Sequence, residues 1–559
     1  MVNRLLQFFN KETNGVHQAA YLLGFFALCS QVLALVRDRT LASHFGAGNT
    51  LDLYYSAFRI PDVLFATIGS IVSISVLIPF LIDSMSKGEE HARDFIDNVF
   101  SFFFAVMMVS SVVAFVTVPF FLKLLFPAFT RPDEFTTLVS LTRILLLSPI
   151  FLGFSNFLAS ITQIYKRFLL YALSPVIYNV GIIFGILCLY PHFGLLGLGW
   201  GVALGAFLHF SIQLPSIIRD GLAPRLKFPI KLSVIKRVVY TCVPRTITMS
   251  SNELTELFLI SFASFLIPGS ISVFNFSFNL QSVPFSIIGV SYASAAFPVL
   301  ARLFSAGNHD EFLDHMVTSS RHIIFWSVPI SVLFVVLRAQ IVRVLLGAGQ
   351  FNWNDTRLTA AALALFIVSL IAQNMMTLFV RSYYSRGKTT PPLLMNIGSA
   401  IFTVLISYYF VQVFQHNFFF QNFWESILKV SGISGTVVLM LPLGYCIGTI
   451  VNMIVHWIAF GYEYPAYSPR VLRVLFESIS SALIMGYVTY VFLNIFDAVF
   501  GLDTVLGVFL QGFCSGVIGI VAGVAVLYFL KSRELVEIWQ TLHKKIWRAK
   551  VLGPDAEVM

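Results

Sequence analysis

Fourteen apolar runs, each long enough to cross a bilayer as a helix, constrain this chain more than any motif in it. They lie near 17–37, 52–82, 95–121, 136–161, 168–190, 194–218, 236–262, 272–303, 317–340, 357–381, 392–414, 434–461, 472–496 and 503–530, bounded by charge or by Gly and Pro. A hydrocarbon core of about 30 Å takes roughly 20 apolar residues per helix. The pattern predicts an all-α polytopic membrane protein of about 14 transmembrane helices. Composition agrees: 57% of residues are hydrophobic and 11% charged, against about 45–50% and about 25% in an ordinary soluble domain. The polar start "MVNRLLQFFNKETNG" leads into a full-length run, so the first helix is expected to stay in place and not be removed as a signal.

The net charge of +9 does not point to nucleic acid, because the basic residues are spread thinly and fall mostly in loops. Lys and Arg number 25 in the N-terminal stretch, the even-to-odd loops and the C-terminal tail, and eight in the opposite loops and their edges. Cytoplasmic loops are the ones enriched in these residues, so both termini are expected in the cytoplasm. The five cysteines sit in or beside apolar runs with no CxxC pair, which suits small core residues and neither disulfides nor metal ligands.

The chain also repeats itself. "LASHFGAGNTLDLYYSAFRIPDVLF" matches "FASFLIPGSISVFNFSFNLQSVPF", and "VLIPFLIDSMSKGEE" matches "AAFPVLARLFSAGNH" with Pro79/Gly88 and Pro298/Gly307 equally spaced. Asn179 and Asn396 pair in a third match, and the offset stays near 217–222 residues, about six spans. The division expected is an N-terminal six-helix bundle at 1–220, a C-terminal one at 221–465, and helices 13 and 14 with a basic tail at 466–559. Two pseudo-symmetric bundles about a central site are a recurrent transporter plan. A membrane anchor does not need them, and a channel more often builds its pore from identical subunits.

Charges inside spans mark the candidate site, since each costs roughly 2.5–3.5 kcal/mol at the bilayer centre. In the first span, Ser30 and Arg37 are seven residues apart, as are Gln31 and Asp38, so each pair shares a helical face. Arg37 and Asp38 either reach the interface as a pair or line a cavity. In the second span Asp52 and Arg59 share a stripe, with Asp62 just past Pro61; the alternatives there are a structural ion pair and a ligand site. The seventh span, "PRTITMSSNELTELFLIS", sets Arg245, Asn252 and Glu256 on one stripe with Glu253 one turn before Glu256. Two acids one turn apart suit a proton or sodium site, or one is neutralised by Arg245 while the other reaches water. No P-loop, metal-spaced His/Cys cluster or paired-aspartate motif occurs, so no enzyme and no resident metal or cofactor is expected.

The stretch "SQVLALVRDRTLASHFGAGNTLDLYYSAFRIPD", with "VPFSIIGVSYASAAFPVLARL" and "LLGAGQFNWNDTRLTAAALALF", resembles the MurJ/MviN lipid II flippases of the multidrug/oligosaccharidyl-lipid/polysaccharide exporter superfamily. The resemblance implies a bacterial inner-membrane protein that moves an undecaprenyl-diphosphate-linked peptidoglycan precursor to the periplasmic leaflet by alternating access. It implies a lipid-linked diphosphate-saccharide and membrane lipids as partners, with cell-wall synthases as a further one. Carried over residue by residue, a family arginine falls on Arg37 and an aspartate on Asp52. Three other family arginines fall on Gln31, Phe65 and Asn279, and a sodium-coupling position falls on Leu259. The substrate-binding set expected is Arg37, Asp38, Asp52, Arg59, Gln31, Ser30 and Asn279. Glu253, Glu256 and Asn252 are the expected ion-coupling set, for Na⁺ or H⁺. The departures leave open an exporter of another polyprenyl-linked saccharide or an amphipathic drug, and a non-transporting scaffold for cell-wall synthases.

Overall fold

The computed structural model describes residues 16–69, 74–164, 167–219, 223–501 and 503–547. Among these residues every regular element is a helix, and no strand occurs. The helices include α1 (Val16–Phe45), α2 (Asn49–Ile68), α3 (Glu89–Leu125), α4 (Phe168–Phe184), α5 (Leu195–Ser211), α6 (Leu232–Ser264), α7 (Ser270–Phe285), α8 (His309–Val336), α9 (Thr390–His416) and α10 (Arg533–Trp547).

Ten of the described helices are long and apolar enough to cross a membrane. An eleventh span comes from Trp353–Val368 with Leu370–Ser385, a pair bent by about 40° at its junction. The expected count of fourteen is therefore not reached by length and apolarity alone. The three expected spans outside this set, at 17–37, 52–82 and 236–262, hold α1, α2 and α6. These are the helices that carry Arg37, Asp38 and Arg39; Asp52, Arg59 and Asp62; and Glu253 and Glu256. Helices with such charges are covered by neighbours, because lipid cannot solvate them.

Local sequence explains the helix ends and faces. In α3, Glu89 and Glu90 occupy the first turn and Lys123 the last, which complements the helix dipole at both ends. The large side chains Val109, Val112, Val113, Val116 and Phe120 are exposed along one face of α3, while Phe103, Met107, Val118 and Leu122 are buried on the other. That 3.6-residue stripe divides lipid from core. On α1, Phe25, Leu28, Val32 and Val36 make a comparable exposed stripe, and Ser30 and Arg37 turn inward to α4. Between α4 and α5 the backbones meet: a Cβ on Gly185 would lie 2.5 Å from Gly201 Cα, and one on Gly181 would lie 2.4 Å from Gly205 Cα. Small residues allow such close packing in the absence of a hydrophobic drive between helices.

By internal contacts the chain forms two compact units, each discontinuous in sequence. One comprises the chain up to Leu280 with Leu345–Phe366 and Lys388–Thr449; the other comprises Gln281–Val344, Ile367–Gly387 and the chain from Ile450 on. A core in the first unit gathers Leu64, Phe103, Met107, Phe157, Ile161 and Val238. One in the second gathers Phe312, Ile324, Phe379, Phe460, Tyr467 and Met485. The candidate site lies entirely within the first unit.

Candidate functional site

A cavity of about 360 Å³ opens among α1, α2, α4, α6 and α7. Its charged lining is Arg37, Arg59, Asp62, Glu253 and Glu256, with Asn275 and Asn279 as amides. Tyr54, Tyr55, Phe58, Phe65 and Tyr178 supply aromatic walls. Five charged side chains from two distant stretches of sequence, 37–62 and 253–256, thus converge on one space.

Arg59 is the most constrained of them, with only 7% of its surface exposed. Its Nη1 donates to Glu256 Oε1 at 2.6 Å, its Nη2 to Asn275 Oδ1 at 3.4 Å, and its Nε to the Tyr55 carbonyl at 3.2 Å. Asp62 Oδ2 stands 3.8 Å from Nη2. A buried charge is tolerated only when paired and hydrogen-bonded, and here α2, α6 and α7 each contribute a partner. Arg37 is held differently. Its Nε and Nη2 both donate to Asp38 Oδ1, at 2.9 and 2.8 Å, and its Nη1 donates to Asn179 Oδ1 at 3.3 Å. Asn179 in turn donates to Ser30 Oγ at 3.3 Å, and Asn279 donates to Asp38 Oδ2 at 3.1 Å. The Tyr55 hydroxyl is buried on the cavity wall with no hydrogen-bond partner among the described residues.

Several expected site residues stand elsewhere. Asp52 does not line the cavity: its buried carboxylate accepts from the backbone N–H groups of Gly269 and Ser272, at 2.6 and 2.8 Å, and from the Ser272 hydroxyl at 2.6 Å. Those donors are the orphan groups at the start of α7, so Asp52 caps that helix from another part of the chain. Asp38 lies behind Arg37 and orients it, and Ser30 acts one step further back through Asn179. Gln31 is half-buried on α1 outside the cavity lining, and Asn252 is exposed on α6, also outside it. The side chain of Arg245 lies outside the described residues. Glu253 and Glu256 meet at the cavity as their spacing requires. No three His, Cys, Asp or Glu side chains among the described residues are arranged to hold a metal ion.

The capping contact belongs to a wider meeting of loops. Gln350 N–H donates to the Ser43 carbonyl at 2.9 Å. A Cβ on Gly269, at φ +96°, would stand 2.2 Å from the Ala47 carbonyl oxygen, and one on Gly349, at φ +56°, 2.2 Å from that of Ser43. Glycine is required twice over at both positions, for the left-handed backbone and for the approach. Here backbone packs directly against backbone.

Sequence reasoning missed Tyr54, Tyr55, Tyr178, Asn179 and Asn275. Asn179 had a signal, its match to Asn396 across the repeat; Tyr54 and Tyr55 had only their adjacency to the charged stripe of α2, and Tyr178 only its adjacency to Asn179.

A family model described as lipid II flippase MurJ matches residues 41–510. A probable lipid II flippase MurJ of Buchnera aphidicola subsp. Schizaphis graminum is 26% identical over 401 residues, 71% of this chain and 78% of its own length. The lipid II flippase MurJ of Burkholderia cenocepacia is 24% identical over 399 residues, 70% of this chain and 77% of its own. Among solved structures, a lipid II flippase MurJ in an inward closed conformation superposes with a TM-score of 0.71 at 20% identity, covering 91% of this chain and 99% of that one. An inward-facing multidrug resistance MATE family transporter of the MOP superfamily gives 0.62 at 15% identity, covering 78% and 96%. These structural likenesses establish the fold. With a family match over most of its length, this chain is a multi-pass membrane transporter, not an enzyme, and belongs to the lipid II flippase MurJ family.

Proposed function

We propose that this chain carries a lipid-linked diphosphate saccharide of the lipid II class from the cytoplasmic to the periplasmic leaflet of a bacterial inner membrane, with both termini cytoplasmic. The observation that carries the reading is the convergence of Arg37 and Arg59 on one cavity inside a membrane bundle. Guanidinium stays protonated and binds phosphate through a bidentate fork. Neither arginine is free, however. Arg59 offers its fork to an anion only when Glu256 lets go of Nη1. Neutralising Glu256 with H⁺ or Na⁺ releases it, and Glu253 and Asp62 stand at the same cavity to share that cation. Cation binding and diphosphate binding then favour each other, and such a coupling is reciprocal. Cell-wall synthases that consume the delivered precursor are the proposed partners on the far side.

The test is transport of a defined lipid-linked substrate in vesicles under imposed pH, sodium and voltage gradients, for the wild type and Glu253→Gln/Glu256→Gln. The double variant should lose its response to one chemical gradient. Wild-type dependence on every gradient would make the acids structural and leave the membrane potential as the drive, at about 2.3 kcal/mol per charge per 100 mV.

A further inference from the structure

We infer that the short helix Phe418–Leu428 lies along the membrane surface with Phe419, Phe423 and Ile427 seated among lipid, so that its partner is the leaflet at the far end of α9. That leaflet is the periplasmic one in the orientation proposed above. The inference does not depend on what the cargo is.

The helix is a fixed element, held at both ends. Asn417 follows the last residue of α9, and its Oδ1 accepts from the Phe420 N–H at 3.0 Å, which caps the first turn. At the other end Lys429 takes φ +59°, the Val430 N–H returns to the Glu425 carbonyl at 2.9 Å, and Arg357 Nη2 donates to the Lys429 carbonyl at 2.5 Å. Such contacts satisfy the last carbonyls of a helix. Glu425 is buried and accepts from Gln421 Nε2 at 2.9 Å and from Thr436 Oγ1 at 2.7 Å.

At about 100° per residue, the eleven residues divide into three sectors. Phe420, Gln421, Trp424, Glu425 and Leu428 are half-buried or buried against the protein. Asn422 and Ser426 form an exposed polar sector. Phe419, Phe423 and Ile427, at steps of four residues, form an exposed apolar one. Glu425 is the only ionisable residue of the helix, so neither exposed sector carries a charge. In water the apolar stripe would be stranded, and deep in hydrocarbon Asn422 and Ser426 would lack partners. At the membrane surface protein, lipid and water each meet one sector, which is the setting of an interfacial amphipathic helix.

The position of the helix on α9 agrees. Leu394, Ile401, Leu405 and Tyr408 are exposed along α9 at helical spacing, and Tyr408 and Tyr409, both exposed, suit the head-group level. With 27 residues, α9 is about 40 Å long against a core of about 30 Å, so it reaches beyond the hydrocarbon. Phe420 docks just past the tyrosines: its ring stacks on Phe410 at 6.0 Å between centroids and meets Phe414 edge-on at 6.4 Å. The helix is thus held at the height where the lipid-facing surface of α9 ends. A second copy of the chain is a poorer occupant, because three such side chains offer at most roughly 500 Å², short of the about 800 Å² a side that a stable interface buries.

The test uses the full-length protein in phosphatidylcholine/phosphatidylglycerol nanodiscs, with the native cysteines replaced and one nitroxide at a time on Phe419→Cys, Phe423→Cys, Ile427→Cys, Asn422→Cys or Ser426→Cys. Collision with oxygen, which concentrates in lipid, is compared with collision with a water-soluble nickel chelate. Oxygen should exceed the chelate at least threefold at 419, 423 and 427, and the order should reverse at 422 and 426. Equal access of the chelate to 423 and 422 would place the stripe in water and overturn the inference. Shielding of 419, 423 and 427 from both reagents would mean that protein covers them, and overturns it as well. Separately, Phe423→Asp/Ile427→Asp should raise amide hydrogen exchange across 418–428 about tenfold in nanodiscs while α9 exchanges as in the wild type. Wild-type exchange across 418–428 in this variant would show that lipid does not hold the helix.

Discussion

Removing the Asp52 carboxylate should open the backbone contact between the α1–α2 turn and the start of α7. That carboxylate satisfies three donors at the start of α7, at 2.6, 2.8 and 2.6 Å, and is 4% exposed. Leaving a buried donor unpaired costs about 1–3 kcal/mol. Asp52→Ala strands two N–H groups and also loses an anion at a helix N-terminus, worth roughly 0.3–2 kcal/mol. The total is on the order of 2–8 kcal/mol against the closed arrangement. Moving a two-state equilibrium from 1:99 to 99:1 takes about 5.5 kcal/mol, so the variant should populate an open seal that the wild type rarely visits. Asp52→Asn keeps one acceptor but turns an amide N–H toward a donor, and should fall between the two. The assay is the electron-spin distance distribution between labels at positions 47 and 267, placed in a background with the native cysteines replaced. Gly269→Ala is the independent control, since its Cβ would press on the Ala47 carbonyl and strain the left-handed backbone while leaving the Asp52 carboxylate in place. Superimposable distributions for wild type and Asp52→Ala would refute the reasoning, because the cap would then carry none of the closure.

Arg37→Ala should abolish complementation of a flippase-depleted strain while insertion stays normal, and Arg37→Lys should retain part of it, because a point charge replaces the fork. Arg59→Gln should lower the thermal midpoint sharply, since Glu256 is left as an unpaired charge at a cost of roughly 3–5 kcal/mol; adding Glu256→Gln should restore most of the loss, and additive effects would argue against the pair. Asn279→Arg places a second cation on Asp38 Oδ2, and should tighten diphosphate binding about tenfold, or ~1.4 kcal/mol, while slowing turnover; unaltered binding and turnover would sink this. At the carboxyl-terminal helix α10, burial raises the Glu534 carboxyl, but its backbone hydrogen bond, the Ser532 hydroxyl and Arg321 outweigh that and hold it below its ordinary value. A depressed carboxylate contributes stability above the unfolded value, near pH 4.3, and loses it as pH falls through the folded value. Hydrogen exchange in α10 should therefore rise on acidification below about pH 4, and Glu534→Gln should remove that pH dependence.

How much of this was legible in the sequence depends on the range of the interaction. Helical periodicity and the cost of charge in lipid are local facts, and they were enough to pick out α1, α2 and α6 and to put Arg37, Arg59, Glu253 and Glu256 in play. The same locality did not show where Asp52 would sit. An acid one stripe from Arg59 on α2 reads as half of an ion pair or as a ligand, and nothing near it announces that its donors lie 217 and 220 residues away. Ser30 shows the intermediate case: its seven-residue relation to Arg37 is real, but the two are joined through Asn179 on α4. A Tyr on an apolar stripe looks the same in a lipid-facing helix and in a cavity wall, so Tyr54, Tyr55 and Tyr178 carried no distinguishing mark.

The departures from the family's arginines and the acids of α6 make one argument when taken together. Gln31, Phe65 and Asn279 remove three expected cations, and Glu253, Glu256 and Asp62 place acids on the same cavity. With Arg37 committed to Asp38 and Arg59 to Glu256, the lining acids outnumber the cations. Such a cavity does not trap an anion by charge alone. Under the proposed function it accepts one only after an acid has been neutralised or displaced, and when that acid ionises again Arg59 would return to Glu256 and release the anion. A cage of free arginines would bind a diphosphate more tightly and hold it, which serves a receptor and hinders a carrier. On the proposed mechanism the acid that competes for Arg59 would let the site empty, and the ion pair between α2 and α6 is the first place to test the coupling between ion and cargo.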